Sequence, residues 1–309
     1  MEDAASTPSP APETPAPSET EDDANPGVDK VLVGLCVGAW ILAMVLLAWR
    51  LPGIRVNWEL GNLKQALDTG DQQQVQASVE ALVDLADSND VVSMVRDELV
   101  EGARFDAIRE DKVLFRLGML RVLEQVPGED AQQALLVAAE DPDARVRRMV
   151  YVLLHSRAKR EFDPPAEVAN MILDKANYEQ DLVSRAVAMQ QVRDLGGMTH
   201  ELEVRVPGAW PFIQGLRNNR LGDDGPPVLV RRACTAGVEA VVGDGFPDGV
   251  PYDPEAPLAT RDASLEALEA WFDAHGGERP EGTPSHAEWK ASLAQDTEPG
   301  APEDAGEGK

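Results

Sequence analysis

Only two cysteines occur in the 309 residues, Cys36 inside a long apolar run and Cys234 far along the chain. They cannot meet across that arrangement, so no disulfide framework exists, and one thiol is too few ligands for a metal site. The pattern suits a reducing compartment. Positive charge is also scarce, with 28 Lys and Arg against 55 Asp and Glu and a formal net charge of −27. Such a surface repels phosphate backbones and anionic head groups, which argues against nucleic-acid binding and leaves no polybasic membrane patch. A partner that reads charge is expected to be basic. Aromatic residues are 5% of a chain that is 43% hydrophobic, mostly Ala, Val and Leu, a mix suited to helices with narrow apolar stripes.

Catalytic motifs are missing as well. The four histidines, His155, His200, His275 and His286, never take the H-E-x-x-H spacing that sets two imidazoles on one helical face. There is no G-x-x-x-x-G-K-[ST] phosphate loop, no G-x-G-x-x-G after a strand and no G-x-S-x-G elbow. Asp244 to Glu255 matches a calcium-loop template through Asp244, Asp248, Gly249 and Glu255. Phe246 takes the third place, however, and Pro247, Pro251 and Pro254 stiffen the segment, so it reads as an acidic loop. Cys234 falls in an apolar stripe and reads as a small buried hydrophobe. No catalytic residue, cofactor or metal site is expected, and the chain is not expected to be an enzyme.

What is present begins with Val31 to Trp49, VLVGLCVGAWILAMVLLAW, without a charge, amide or proline. At ~1.5 Å per residue it reaches roughly 28 Å as a helix, close to the ~30 Å hydrocarbon core of a bilayer. It reads as one transmembrane helix over 31–50. The segment before it is acidic and Arg50, Leu51 and Pro52 follow it, which is neither the basic start nor the small-residue cleavage site of a signal peptide. Gly34 and Gly38 form a G-x-x-x-G pair through which two copies could form a homodimer. Lys30 precedes the run while Arg50, Arg55 and Lys64 follow it, which places the C-terminal part in the cytoplasm rather than the periplasm or extracellular space. Residues 1–30, rich in Ala, Pro, Ser, Thr, Glu and Asp, cannot bury enough apolar surface to order themselves and read as a disordered acidic tail.

After a short linker with Pro52 and Gly53, one pattern recurs over 57–242. Glu129 to Ser156 shows it best: two apolar helical stretches flank an acidic turn, with Asp141 placed to cap the second helix and Pro142 at its first position. Val146, Met149, Val150, Leu153 and Leu154 then form one stripe. Related units start near Leu63, with a turn at Gly70 and Asp71 and a stripe of Val75, Val79, Leu82 and Val83; near Val91, with a long connection from Ala103 to Glu110; near Asp181; and near Pro227. Taking Val75, Leu114, Val146, Val183 and Val230 as equivalent, Ala77, Arg116, Arg148, Arg185 and Arg232 fall two positions later. Those arginines either pair with carboxylates of the next unit or form an anion-binding row; the first is the expectation.

Asp143, Val146, Arg147 and Met149, and Val230, Arg231 and Ala233, follow the D-x-x-V-R-x-x-A order. In this the chain resembles the HEAT repeat family, including its PBS-lyase-like subset. The resemblance implies an all-α fold, an α-solenoid of HEAT-like helical hairpins after the transmembrane helix, and a scaffold or adaptor that binds a protein partner on the solenoid surface. It also carries two alternatives: a lyase or isomerase acting on a small ligand or chromophore, for which a deep pocket lined by His200, Arg185 or Arg232 would speak, and a spacer or oligomerisation module of a membrane complex. HEAT-like deoxyhypusine hydroxylases hold di-iron with repeated His-Glu pairs; here His200 and Glu201 are the one such pair. Beyond the repeats, Glu201 to Val206 alternates and predicts a short extended segment. Residues 243–278 predict a loop and then a capping helix from Arg261 to His275, with Leu265, Leu268, Trp271 and Phe272 inward and Gly276 as its stop. Residues 279–309 are expected to be mostly disordered, with a short helix around Ala287 to Ala294.

Overall fold

The computed structural model describes residues 26–86, 90–104, 107–198, 201–221, 225–243 and 251–296, excepting the side chains at 26–34, 46–52, 90, 203 and 286. Among these residues all regular structure is helical. In chain order the helices are α1 (Pro26–Thr69), α2 (Gln72–Asp84), α3 (Asp90–Gly102), α4 (Glu110–Gln125), α5 (Glu129–Ala138), α6 (Ala144–Lys159), α7 (Pro165–Tyr178), α8 (Leu182–Asp194), α9 (Leu202–Arg205), α10 (Trp210–Asn218), α11 (Pro226–Val242), α12 (Leu258–Ala274) and α13 (His286–Asp296), with a 3₁₀ turn at Val206–Ala209 after α9.

The chain divides into two compact units, 1–51 and 52–309. In the first, the side chains from Leu35 to Val45 are all exposed, among them Leu35, Trp40 and Leu42. Among the described residues no helix is long and apolar enough to cross a membrane; the apolar run 31–49 reaches beyond the described side chains at both ends. The linker expected at Pro52 and Gly53 is helical instead, and both residues fall within α1. Proline removes one backbone hydrogen bond but its φ is that of a helix, so a long helix with other bonds to hold it continues past.

In the second unit the helices follow one another as hairpins. Gly70 turns the chain with φ +72°, and Asp71 caps α2 by accepting from the backbone N–H groups of Gln73 and Gln74, each at 3.0 Å. Asp143 does the same for α6 through Arg145 N–H at 2.8 Å, and Asp181 for α8 through Ser184 N–H at 2.7 Å. The cap of α6 is therefore Asp143 and not Asp141, and Pro142 lies outside the helix. Asp141 is drawn away by a buried arginine described below.

The second helix of each hairpin packs on the second helix of the next: α2 on α4, α4 on α6, α6 on α8, and α8 on α11. The first helices α3, α5, α7 and α10 lie against this row, and α12 closes on α10. Val75, Val79 and Leu82 of α2, Val146, Val150 and Leu154 of α6, and Val238 and Val241 of α11 are buried in one continuous core. Each helix hides about a third of its circumference, and only a neighbour on each side covers the rest of the apolar stripe. Close approach is needed at α10 and α11: a Cβ on Gly215 would stand 2.6 Å from Cys234 Sγ, and one on Gly237 would stand 2.6 Å from the Phe212 ring. Cys234 is fully buried, as expected, and burial pushes its thiol up to about 12.

Two expectations about local structure fail. Glu201 to Val206 is not extended: α9 and the 3₁₀ turn occupy it, with Leu202 half-buried, Val204 exposed and Val206 buried. Six alternating residues fit a strand and a helical turn equally, and packing on α11 selects the turn. The stripe register is also displaced. Leu114 is exposed while Val113 is buried, and in α8 Val183 is half-buried while Ser184 is fully buried. Of the four residues expected inward on the C-terminal helix, Leu265, Leu268 and Phe272 are buried and Trp271 is half-buried, and Gly276 at φ +78° follows its end. Helix α13 covers the short helix expected around Ala287 to Ala294, and its Trp289 lies 5.3 Å from the guanidinium groups of both Arg217 and Arg220.

Candidate functional site

An inward-facing arginine stands in the first half of α4, α6 and α11, buried in α4 and α11 and half-buried in α6, and each ties the loop before its own helix to a later loop. Arg116, with no exposed surface, donates to the carbonyls of Gly102 and Ala107 at 2.8 and 2.7 Å and to Asp141 Oδ1 at 3.0 Å. Its Nε stands 2.7 Å from Asp141 Oδ2 as an ion pair without hydrogen-bond alignment. Arg147 donates to the carbonyls of Asp141 and Pro142 and grips Glu179 with two bonds of 2.8 and 2.7 Å. Arg231 donates to the carbonyls of Asn219, Leu221 and Pro254. Asp141 and Glu179 each stand two residues before a capping aspartate and accept its N–H, at 2.8 and 2.9 Å. Fixed donors and acceptors thus replace water around charges that could not otherwise be buried.

The expected row two positions after each Val splits in two. Arg116 belongs to this inner set, whereas Arg148 and Arg232 are outer residues that pair with Asp181 and Glu255. Pairing with carboxylates of the next unit, the expected role, holds for these three. Arg185 is the exception. Counting from the caps Asp143 and Asp181, it occupies in α8 the place that Arg147 occupies in α6. Yet among the described residues it makes no hydrogen bond or ion pair, its Nε is buried without a partner, and its guanidinium stands 5.9 Å from the Phe212 ring centroid. Burial pulls its pKa below the ordinary value, and the Glu179 carboxylate works against that fall.

Arg185 lines a cleft of about 370 Å³ with Asn177, Tyr178, Glu179, Gln180, Gln214 and Asn218, from the end of α7, the α7–α8 turn and α10; the Glu179 carboxylate is itself held by Arg147. The four amide side chains are exposed and make no hydrogen bond among the described residues. On the other side of Tyr178, itself 78% exposed, a cleft of about 540 Å³ is lined by Glu140, Arg147, Asp174, Lys175 and Glu179. There Lys175 holds Glu140 at 2.6 Å and Arg147 holds Glu179, while Asp174 has no ion pair among the described residues. Burial acts to raise the Glu179 pKa, but hydrogen bonds from Arg147, Asp181 N–H and Tyr151, with the Arg147 charge, hold it below 4.5.

The residues on which a small-ligand pocket would depend do not converge. Arg185 faces this cleft, Arg232 pairs with Glu255 in another place, and His200 lies outside the described residues, as do Asp244 to Val250 of the calcium-loop match. Among the described residues no group of His, Cys, Asp and Glu could hold a metal ion. The hydrophobic pattern missed Glu179 and Asp174 and gave Asp141 the role of a cap; the signal that could have placed Asp141 and Glu179 is the acid-x-Asp spacing before two second helices. Comparison with protein-family models, curated proteins and solved structures found no match.

Proposed function

We propose that the chain is a single-pass membrane-anchored scaffold, a HEAT-like α-solenoid that binds a protein partner on its surface. The observation that carries this reading is the row α2, α4, α6, α8 and α11, each packed on the next, with arginines tying the loops before α4, α6 and α8. Stacked units of that kind have nearest-neighbour cores and long continuous faces, which suit extended partners better than small ligands. For the anchor, support comes from the uncharged run 31–49 and from the exposure of every described side chain in it. Water is a poor solvent for such a surface and lipid a good one.

Gly38 leaves open space where a side chain would stand, as a close helix pairing would use. The arginines and lysine after the run assign the second unit to the cytoplasm. A photo-crosslinker in place of Tyr178 in the full chain, irradiated in native membranes, is expected to give a defined protein adduct. The absence of an adduct there and at the other exposed apolar positions Ile108, Val204 and Leu229 would refute the scaffold reading. Protease added to intact cells should spare the second unit.

A further inference from the structure

We propose that the Arg185 cleft is a binding site for a peptide carboxylate, with Arg185 as the recognising cation. The proposal rests on the scaffold reading and names the chemistry by which the partner is recognised. The inner arginines Arg116 and Arg147 are satisfied by backbone carbonyls and by a carboxylate of the next loop, and Arg231 by carbonyls on both sides. Arg185 stands in its helix where Arg147 stands in α6, with neither kind of partner, and its Nε is buried. A guanidinium presents parallel N–H groups that match the two oxygens of a carboxylate, and partial burial strengthens that match by weakening competition from water.

The surroundings suit a peptide better than a bare ion. Asn177, Gln180, Gln214 and Asn218 offer amide donors and acceptors without internal partners, as a peptide backbone requires. Across the exposed Tyr178, the unpaired Asp174 lines the neighbouring cleft and suits a cationic side chain of the same peptide. That arrangement also answers the charge problem, because the net charge of −27 repels an acidic ligand but not one that carries a lysine beside its carboxylate.

The test titrates the full chain in detergent with acetyl-Lys-Ala-Ala bearing a free C-terminal carboxylate, and with the same peptide as its C-terminal amide. The readout is the ¹⁵N–¹H signal of Arg185 Nε, assigned by its loss in Arg185→Gln. A saturable shift with the carboxylate, none with the amide, and binding at least about tenfold weaker in Arg185→Gln, measured for both proteins by isothermal titration calorimetry, would support the proposal. Equal shifts from carboxylate and amide, no shift, or a response to inorganic phosphate alone would overturn it. So would a shift of the same signal on replacing Asp223 and Asp224 by Asn, since the cation would then be neutralised from within. If Tyr178 adducts persist while the peptide fails, the scaffold reading stands and the carboxylate site falls.

Discussion

Replacing Arg116 and Arg185, one at a time, by Met separates two arginines that look alike in the sequence. Arg116 is wholly buried and holds two carbonyls and Asp141, itself 4% exposed. Methionine keeps most of the stem packing but leaves the Asp141 carboxylate with only the N–H of Asp143. Breaking a buried ion pair by removing one partner costs about 3–5 kcal/mol, and the two orphaned carbonyls add to the loss. Arg185 leaves nothing orphaned, and removing a half-buried charge relieves desolvation, so Arg185→Met should lie between neutral and about 1 kcal/mol stabilising. At about 2–4 °C per kcal/mol for a chain of this length, the two variants should melt roughly 10 °C apart. Unfolding of both full-length variants in one detergent, followed by far-UV circular dichroism against heat and urea, measures the difference. Equal destabilisation by the two substitutions would refute the claim that Arg185 is unpaired, and the binding proposal built on it would go too.

Acid should weaken the fold through the acids around the caps. Glu179, Asp181 and Asp143 have folded-state pKa values below their ordinary 4.5, 3.8 and 3.8, so their stabilisation is complete above those values and lost as pH falls through the lower ones. Unfolding free energy should therefore be flat near neutrality and fall below about pH 4.5, and Glu179→Gln should flatten that limb when urea midpoints are compared. Gly237→Ala places a methyl against the Phe212 ring and should cost about 1–3 kcal/mol in the same urea series; a neutral result would mean that α10 and α11 pack less closely than described. Trp289→Ala removes two cation–π contacts and should release α13, seen as faster proteolytic trimming at residues 286–296 with the remainder intact. Deletion of 31–49 should move the protein out of the alkali-washed membrane fraction, whereas retention there would end the anchor reading.

The hairpins are legible in the sequence where a cap and a stripe agree. Asp71, Asp143 and Asp181 each precede a run of apolar residues at helical spacing, so the existence of α2, α6 and α8 follows from local chemistry. Their register does not follow, because a hydrophobic criterion cannot place a fully buried arginine in a stripe. In α4 and α11 the inward positions include Arg116 and Arg231, both without exposed surface, and a reader of apolar residues shifts to Leu114 and Val230 beside them. What permits the burial is supplied by carbonyls 9 to 23 residues away and by the Asp141 carboxylate 25 residues away, distances over which the sequence shows no pattern. The D-x-x-V-R order held more of this than the stripe did, since Arg147 and Arg231 are its arginines. The order is broken at Arg185, where Ser184 takes the Val place. Ser184 turns its hydroxyl back to the carbonyl of Ala144 at 3.0 Å and so keeps α6 and α8 together without help from the neighbouring arginine. The packing of these two helices is thus secured by Ser184, Arg147 and Glu179, and Arg185 is left over from it, which is why a lapse in the repeat pattern is also where an outside carboxylate has room to bind.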